Sequence, residues 1–503
     1  MKPQTLIPLL VIAVAAFFGW NSYQNCQLQL PGLAAPANCV SSPTTPTTPT
    51  TPTMPTTPTT PTTPTIPTTP TTPTTPTTPT AGAPELTMVT PDVNPAVNLR
   101  PERAAILSAF SSKDYPNVMS LADGWLNARP ADALIALVRN NALLKQRASS
   151  VITIGVSVPT SGATTQAGEA VLQGVNMAVQ EANKEGGING KSIAVEVLND
   201  QNDRALAIQA ATAMVANSKV LGVIGPVNSS SALAAADIYN GGLVHIAPTA
   251  SDDRLADSGP WTFRMVPKNS AQGRTLARIA KQRGFIRIPV FFDPKVAYSK
   301  GLADSFQKEA SQQNISVVPI EFTSGSLPET TAFDVFQDSP APDAAFISGD
   351  YTDVARIAKS LREQNITVPL IAGDSAYSQS LLQTAGAAVE GLTLVSYFHA
   401  SATSIGSTQS FVKAFANRYG GGTPNARAAQ AYDATRTLLE AIRRAKTLDR
   451  AGVKAALNTF TSAKPGPGVT SKVQFKDGGI VGRPFVVIQV AQGKLVSSGI
   501  APQ

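Results

Sequence analysis

Two short hydroxyl-bearing loops carry the densest chemistry in this chain. Gly225-Pro226-Val227-Asn228-Ser229-Ser230-Ser231 follows the apolar run Val220 to Ile224, and Ala247-Pro248-Thr249-Ala250-Ser251 follows Leu243 to Ile246. Ser229 to Ser231 open a stretch, Ala232 to Tyr239, of good helix formers with no Gly or Pro. A strand that delivers serines to a helix N-terminus makes an anion seat: the first-turn N–H groups lack intrahelical partners, the dipole is positive there, and hydroxyls add donors. Neither loop contains Lys or Arg, so the seat suits a small carboxylate held by neutral donors better than a polyphosphate. On the residues alone, the serines could equally be helix caps and nothing more.

The rest of the chain must position those loops. At 503 residues it exceeds the roughly 300 that one core serves, so more than one core is expected. The net charge of +7 is diffuse, without the basic runs of a nucleic-acid surface. Cys26 and Cys39, the two cysteines, precede a Pro/Thr tract and cannot staple the globular part beyond it; their pairing is left open. The two histidines, His245 and His399, are too scattered for a metal cluster, and no cofactor motif appears.

Lys2 precedes an apolar run from Leu6 to Trp20, about fifteen residues, which fits a signal-peptide core and falls short of the roughly twenty of a full span. Residues 1–22 therefore read as a signal peptide or membrane anchor. Export is expected, to the periplasm or cell surface, with retention on the membrane left open. Residues 43–84 form a Pro/Thr-rich linker, in which proline at every third position favours a polyproline II spacer with a reach on the order of 100 Å. Apolar residues from Ala105 to Leu126, then Ala133 to Val138, recur at helical spacing, so residues 98–147 read as a helical hairpin. Lys113-Asp114-Tyr115 and Asn127-Ala128-Arg129-Pro130 resemble one tetratricopeptide-type repeat and the start of the next, and a lone repeat must dock its apolar face on a neighbour.

From Val151 onward short apolar runs alternate with segments of helical period: Val151–Val156, Ile193–Leu198, Leu221–Ile224, Ile288–Phe292, Ile315–Ile320, Ala344–Ile347 and Val368–Ala372, with helices such as 168–184, 205–217, 270–282 and 353–364 between them. This alternation implies an α/β fold of doubly wound parallel sheets. Ligands of such sheets sit beyond the strand carboxyl ends, where both serine loops fall.

Gly187-Ile188-Asn189-Gly190-Lys191, Asn199-Asp200-Gln201-Asn202-Asp203, Gly225-Pro226-Val227, Asp237-Ile238-Tyr239, Phe263-Arg264-Met265-Val266-Pro267, Ala297-Tyr298-Ser299-Lys300-Gly301 and Glu390-Gly391 follow one another in a recognisable order. Over about residues 151–490 the chain resembles the leucine/isoleucine/valine-type (type I) periplasmic substrate-binding proteins that serve ATP-binding-cassette (ABC) importers. The resemblance implies a bilobal domain over 151–503, with lobe 1 about 151–267 and 400–475, lobe 2 about 268–399 and 476–503, and a three-segment hinge. It implies that Ser229, Thr249 and Ser251 hold an amino-acid carboxylate, that Asp374 pairs with the ammonium, and that Tyr298 and Tyr351 close over the ligand. The chain also departs from the family pattern. Ala167 stands at an aromatic position, Asn228 at a smaller and less polar one, and Arg427 where a branched-chain pocket has an aromatic. Arg427 either points to solvent from the helix that starts near Asn425 or faces the cleft, in which case it favours a polar or acidic ligand side chain.

The expectation is thus a non-enzymatic exported protein that captures an amino acid, amide or related solute and delivers it to the membrane subunits of an ABC importer. The alternative is a tethered ligand sensor that uses the linker and helical unit to meet a signalling partner. Enzymatic Ser-His-Asp chemistry is disfavoured, since neither histidine lies in a nucleophile motif.

Overall fold

The computed structural model describes residues 100–147, 150–401 and 406–501. The signal-peptide or anchor reading of 1–22, the Cys26–Cys39 question and the linker over 43–84 lie outside the described residues. Among the described residues no helix is long and apolar enough to cross a membrane.

The described chain begins with three helices rather than a two-helix hairpin: Pro101–Ser111 (α1), Tyr115–Ala128 (α2) and Ala133–Gln146 (α3). Asp114 and Asp132 cap α2 and α3 by accepting the Asn117 and Ile135 N–H groups. Asp132 also accepts from buried Arg103 Nε at 2.7 Å and Trp125 Nε1 at 2.9 Å, which ties the three helices at one point.

The bilobal part holds two seven-stranded mixed sheets. The first is built from Val151–Val158 (β1), Ser192–Asn199 (β2), Val220–Ile224 (β3), His245–Ala247 (β4), Thr262–Arg264 (β5), Phe475–Lys476 (β11) and Gly479–Ile480 (β12), in the order β11-β12-β5-β4-β3-β1-β2. The second comprises Arg287–Phe292 (β6), Ser316–Glu321 (β7), Ala345–Ser348 (β8), Leu370–Ala372 (β9), Thr393–Ser396 (β10), Val486–Ala491 (β13) and Lys494–Ile500 (β14), in the order β14-β13-β10-β9-β8-β6-β7. Both centres are parallel, and antiparallel pairs occur at β11–β12, β10–β13 and β13–β14. Central strands such as β3 and β8 are buried along their whole length, which is why they read as unbroken apolar runs.

Helices Thr165–Lys184 (α4), Arg204–Ala216 (α5), Ser229–Tyr239 (α6), Asn269–Gln282 (α7), Ala297–Gln312 (α8), Tyr351–Glu363 (α9), Gln379–Ala385 (α10), Gly406–Arg418 (α11), Ala426–Arg444 (α12) and Arg450–Leu457 (α13) complete the lobes. α4 and α12 cross closely at Gly174, where a Cβ would lie 2.1 Å from the Ala428 carbonyl oxygen. A glycine there is what lets the two backbones meet.

The three-helix unit docks on the first lobe. The Ala133 N–H, at the start of α3, donates to Glu169 of α4 at 2.8 Å. The Asn141 carboxamide donates to Val195 O and accepts the Val195 N–H at 3.0 Å, and beside it Asn183 of the first lobe's own α4 serves Ile193 in the same way. Val195 and Ile193 lie on the edge strand β2, so these carboxamides occupy backbone groups that would otherwise offer pairing to another chain.

The third chain crossing between lobes falls between Ile480 and Val486, not at residues 475–476, because Gly479 of β12 still pairs with Arg264 of β5 in the first sheet. Arg483 sits in that crossing, fully enclosed. Its Nη1 donates to Met265 O at 2.6 Å and its Nε to Ser471 Oγ at 3.1 Å, and Nη2 lies 3.5 Å from Asp433 of α12.

Candidate ligand-binding cleft

The ends of β3 and β4 face the second lobe across a cavity of about 390 Å³. Gly225, with φ of 112°, turns the chain out of β3 so near β1 that a Cβ would meet Ser157 O at 2.1 Å. That turn brings Asn228, Ser229 and Ser230 onto the cavity wall beside Thr249. Tyr298, Tyr351 and Asp374 face them from the second lobe, and Ala167 and Arg427 complete the lining near α4 and α12. Seven of the eight expected residues therefore share one crevice.

The cap of α6 is Asn228, whose Oδ1 accepts the Ser231 N–H at 2.8 Å. Ser229 is 1% exposed, and its Oγ accepts the Ser251 and Asp252 N–H groups at 3.2 Å each. The Ser229 proton has no acceptor among the described residues. Thr249 gives its own proton to Val227 O at 2.5 Å and so presents an acceptor. Ser251 is the correction: its hydroxyl is fully buried, donates to Asn269 Oδ1 at 2.7 Å, and does not line the cavity. It fastens the second loop to α7 because its backbone N–H is already drawn toward Ser229.

Asp374 begins the turn after β9. Its Oδ1 accepts from Gln272 Nε2 at 2.8 Å and from the Tyr298 hydroxyl at 2.9 Å, and its N–H donates to Gln272 Oε1 at 2.8 Å. Oδ2 has no partner among the described residues. Burial raises the Asp374 carboxyl above the usual carboxylate range, against the Gln272 and Tyr298 hydrogen bonds and the Arg427 charge. Tyr298, buried beside that carboxylate, is pushed well above an ordinary phenol, so it stays a donor.

Three contacts bridge the lobes around the cavity. The Ala297 N–H of α8 donates to Ser230 Oγ at 3.1 Å. The Tyr351 hydroxyl donates to Gln166 Oε1 at 3.4 Å, and Ser380 donates to the same oxygen. Arg427 Nη2 donates to Ser375 O at 3.2 Å and Oγ at 3.4 Å. Arg427 thus faces the cleft, not solvent, which settles the choice left open by the residues. The lobes are closed on each other.

Residues 151–494 match the periplasmic binding protein family, a span of well over half the chain. The chain belongs to the periplasmic binding protein family. A Leu/Ile/Val-binding protein homologue of Brucella suis is 26% identical over 309 residues, 61% of this chain and 82% of that protein. The leucine binding protein LivK of Thermotoga maritima superposes with a TM-score of 0.65 at 27% identity, covering 70% of this chain and 99% of its own. LivJ of Streptococcus pneumoniae, solved in complex with isoleucine, gives 0.65 at 26% identity over 70% of this chain and all of that one.

This periplasmic binding protein is a solute-binding protein rather than an enzyme. His245 is buried against Gly225 O and Thr262 Oγ1, and burial takes its imidazole down to about 4, so it is a neutral packing residue. Among the described residues no cluster of His, Cys, Asp or Glu could hold a metal ion. Sequence reasoning missed Gln272, Gln166, Ser230, Tyr377 and Gln430. Gln430 had a signal: it lies three residues after Arg427 on α12 and so on the same helix face. Ser230 was visible as the middle of three serines. Gln272 and Gln166 had none, because only the folded chain brings them to Asp374 and Tyr351.

Proposed function

We propose that the cleft captures an amino acid or a related small zwitterion, and that the exported protein hands it to the membrane subunits of an ABC importer. One observation carries the reading: Asp374, with an unspent carboxylate oxygen, and Ser229, with an unspent hydroxyl proton at a helix N-terminus, line the same cavity. A zwitterion leaving water requires a carboxylate at one end and donors at the other, or desolvation costs several kcal/mol per charge. The names of the Brucella, Thermotoga and Streptococcus proteins point to the same ligand class. In this reading Tyr351 bonds Gln166 across the cleft over the guest and Tyr298 fixes Asp374. Asn228 walls the carboxylate end, and Thr249, whose proton goes to Val227 O, offers the carboxylate no hydroxyl donor.

Thermal shift of ligand-free protein against an amino-acid panel tests the binding step. A true ligand at a hundred times its Kd stabilises by about 2.7 kcal/mol. No response to any amino acid or amide would remove the zwitterion reading. Delivery is tested separately, by uptake of the radiolabelled amino acid in cells lacking this chain, which should fall and recover on complementation.

A further inference from the structure

The cavity contains polar atoms that a zwitterion's two ends leave unused. Gln430 and Tyr377 are 1% and 2% exposed, both line the cavity, and Gln430 Nε2 and the Tyr377 hydroxyl have no hydrogen-bond partner. Buried polar atoms in folded proteins are nearly always paired; both orphans are closed off from solvent in the unligated structure, so a ligand group meets them only when the two side chains turn toward the cavity they line. Arg427 stands on the same face of α12 as Gln430. Its guanidinium commits only Nη2, to Ser375, and enters no ion pair among the described residues.

The cavity's carboxylates do not answer that charge. Asp203 caps α5 through the Ala205 and Leu206 N–H groups. Asp350 caps α9 through Thr352 and Asp353, and Asp353 is paired with Arg356. Asp374 attracts Arg427 without touching it, and its free oxygen is the one the proposed ammonium needs. Two arginines, Arg204 and Arg427, line the cleft and neither enters an ion pair among the described residues; Arg427 is the one that stands on the helix face carrying the unpaired Gln430.

We infer that the ligand carries a second carboxylate, seated by Arg427, Gln430 and Tyr377, so that the cleft takes an acidic α-amino acid of glutamate's class. This rests on the amino-acid reading above and narrows it. A guanidinium holds a carboxylate through two parallel N–H bonds, and the Gln430 amide and Tyr377 hydroxyl supply the donors for its remaining lone pairs. An aliphatic side chain in the same place would shut the Arg427 guanidinium away from water and return it no hydrogen bond.

The experiment is calorimetric titration of the ligand-stripped full chain with L-glutamate, L-glutamine and L-leucine. L-glutamate is expected to bind at least about 100-fold tighter than L-leucine, and tighter than L-glutamine. Arg427→Ala should erase the preference for L-glutamate over L-leucine, whatever it costs both ligands in common through the lost contact with Ser375. Should that variant melt abnormally, Gln430→Leu reads the same seat: it should weaken L-glutamate at least about tenfold and narrow its margin over L-leucine. L-leucine or L-glutamine binding as tightly as L-glutamate overturns the second carboxylate and leaves the amino-acid reading intact. A glutamate preference that survives Arg427→Ala overturns the seat named here. If no amino acid binds, both readings fall together.

Discussion

Asp374→Asn separates charge from shape at the centre of the cleft. Asparagine keeps an oxygen to accept from Gln272 and Tyr298, as Asp374 Oδ1 does at 2.8 and 2.9 Å, so the turn after β9 is retained. What is lost is the negative charge on the oxygen that faces the cavity. An α-ammonium closed into the cleft then has no counter-charge, and an unpaired buried charge costs about 3–5 kcal/mol, or roughly 10²- to 10⁴-fold in Kd. The unligated protein should respond in the opposite sense. Burial raises the Asp374 carboxyl, so the folded state holds this proton more readily than the unfolded chain does. That preference stabilises fully at low pH and is lost as pH rises through the folded value. Removing the charge should leave the unligated melting temperature at pH 7 unchanged or higher. Titration calorimetry with the best wild-type amino acid, beside melting curves at pH 5 and 7, reads both effects. A Kd within threefold of wild type would refute the reasoning, because the ammonium would then sit elsewhere. A fall in unligated stability would assign the binding loss to damage rather than charge.

Ser230→Ala removes the hydroxyl that accepts the Ala297 N–H across the cleft; at about 0.5–1.5 kcal/mol for one net hydrogen bond it should weaken binding two- to tenfold, and an unchanged Kd would exclude this contact from closure. Arg483→Met leaves Asp433 buried at the hinge without its cation and should cost about 3–5 kcal/mol of stability, most of it regained with Asp433→Asn in the same chain; a single variant as stable as wild type contradicts the strut. Glu169, buried beside Asp132, is pushed up to about 8 from 4.5, so stability should fall as pH rises from about 4.5 to about 8. Glu169→Gln keeps an acceptor for the Ala133 N–H and should flatten that fall in melting curves from pH 5 to 8.5; an unaltered slope places the titration elsewhere.

The architecture was legible where physics writes continuous patterns. β1, β3, β6 and β8 announced themselves because strands buried over most of their length must be largely apolar, while the edge strands β2 and β7, only partly buried, were legible from their β-branched residues. The two-residue strand β12 carries no such pattern, and its pairing with β5 moved the third crossing past residue 480. The hydroxyl loops were legible from residue type and from their place after strands. Type alone could not tell Ser229 from Ser251, since both end their loops with the same side chain; the distinction is made by Asn269, which takes the Ser251 proton. Arg427 was undecidable for a related reason. The second residue of a helix can face either way until the helix is docked, and α12 is docked by its close crossing at Gly174.

The same long-range placement decides what the three N-terminal helices can and cannot do. Their hydrogen bonds to the rest of the described chain go to α4 and β2 through Ala133, Asn140, Asn141 and Ala131, and both elements belong to the first lobe. None goes to the second. The contacts that opening must break are instead Ser230 with Ala297, Gln166 with Tyr351 and Ser380, and Arg427 with Ser375. Four of the residues in those contacts, Ser230, Tyr351, Ser375 and Arg427, belong to the cavity wall itself, so whatever occupies the cavity acts directly on the bonds that hold it shut. A ligand can therefore bias closure without disturbing the helical unit, and Glu169 can release or tighten that unit without touching a cleft contact. The two equilibria share only α4, which carries Gln166 and Glu169 within one turn of each other. If they are coupled at all, Glu169→Gln should alter ligand affinity, and affinity unchanged beside a flattened pH profile would establish that the helical unit is a mount fixed to one lobe.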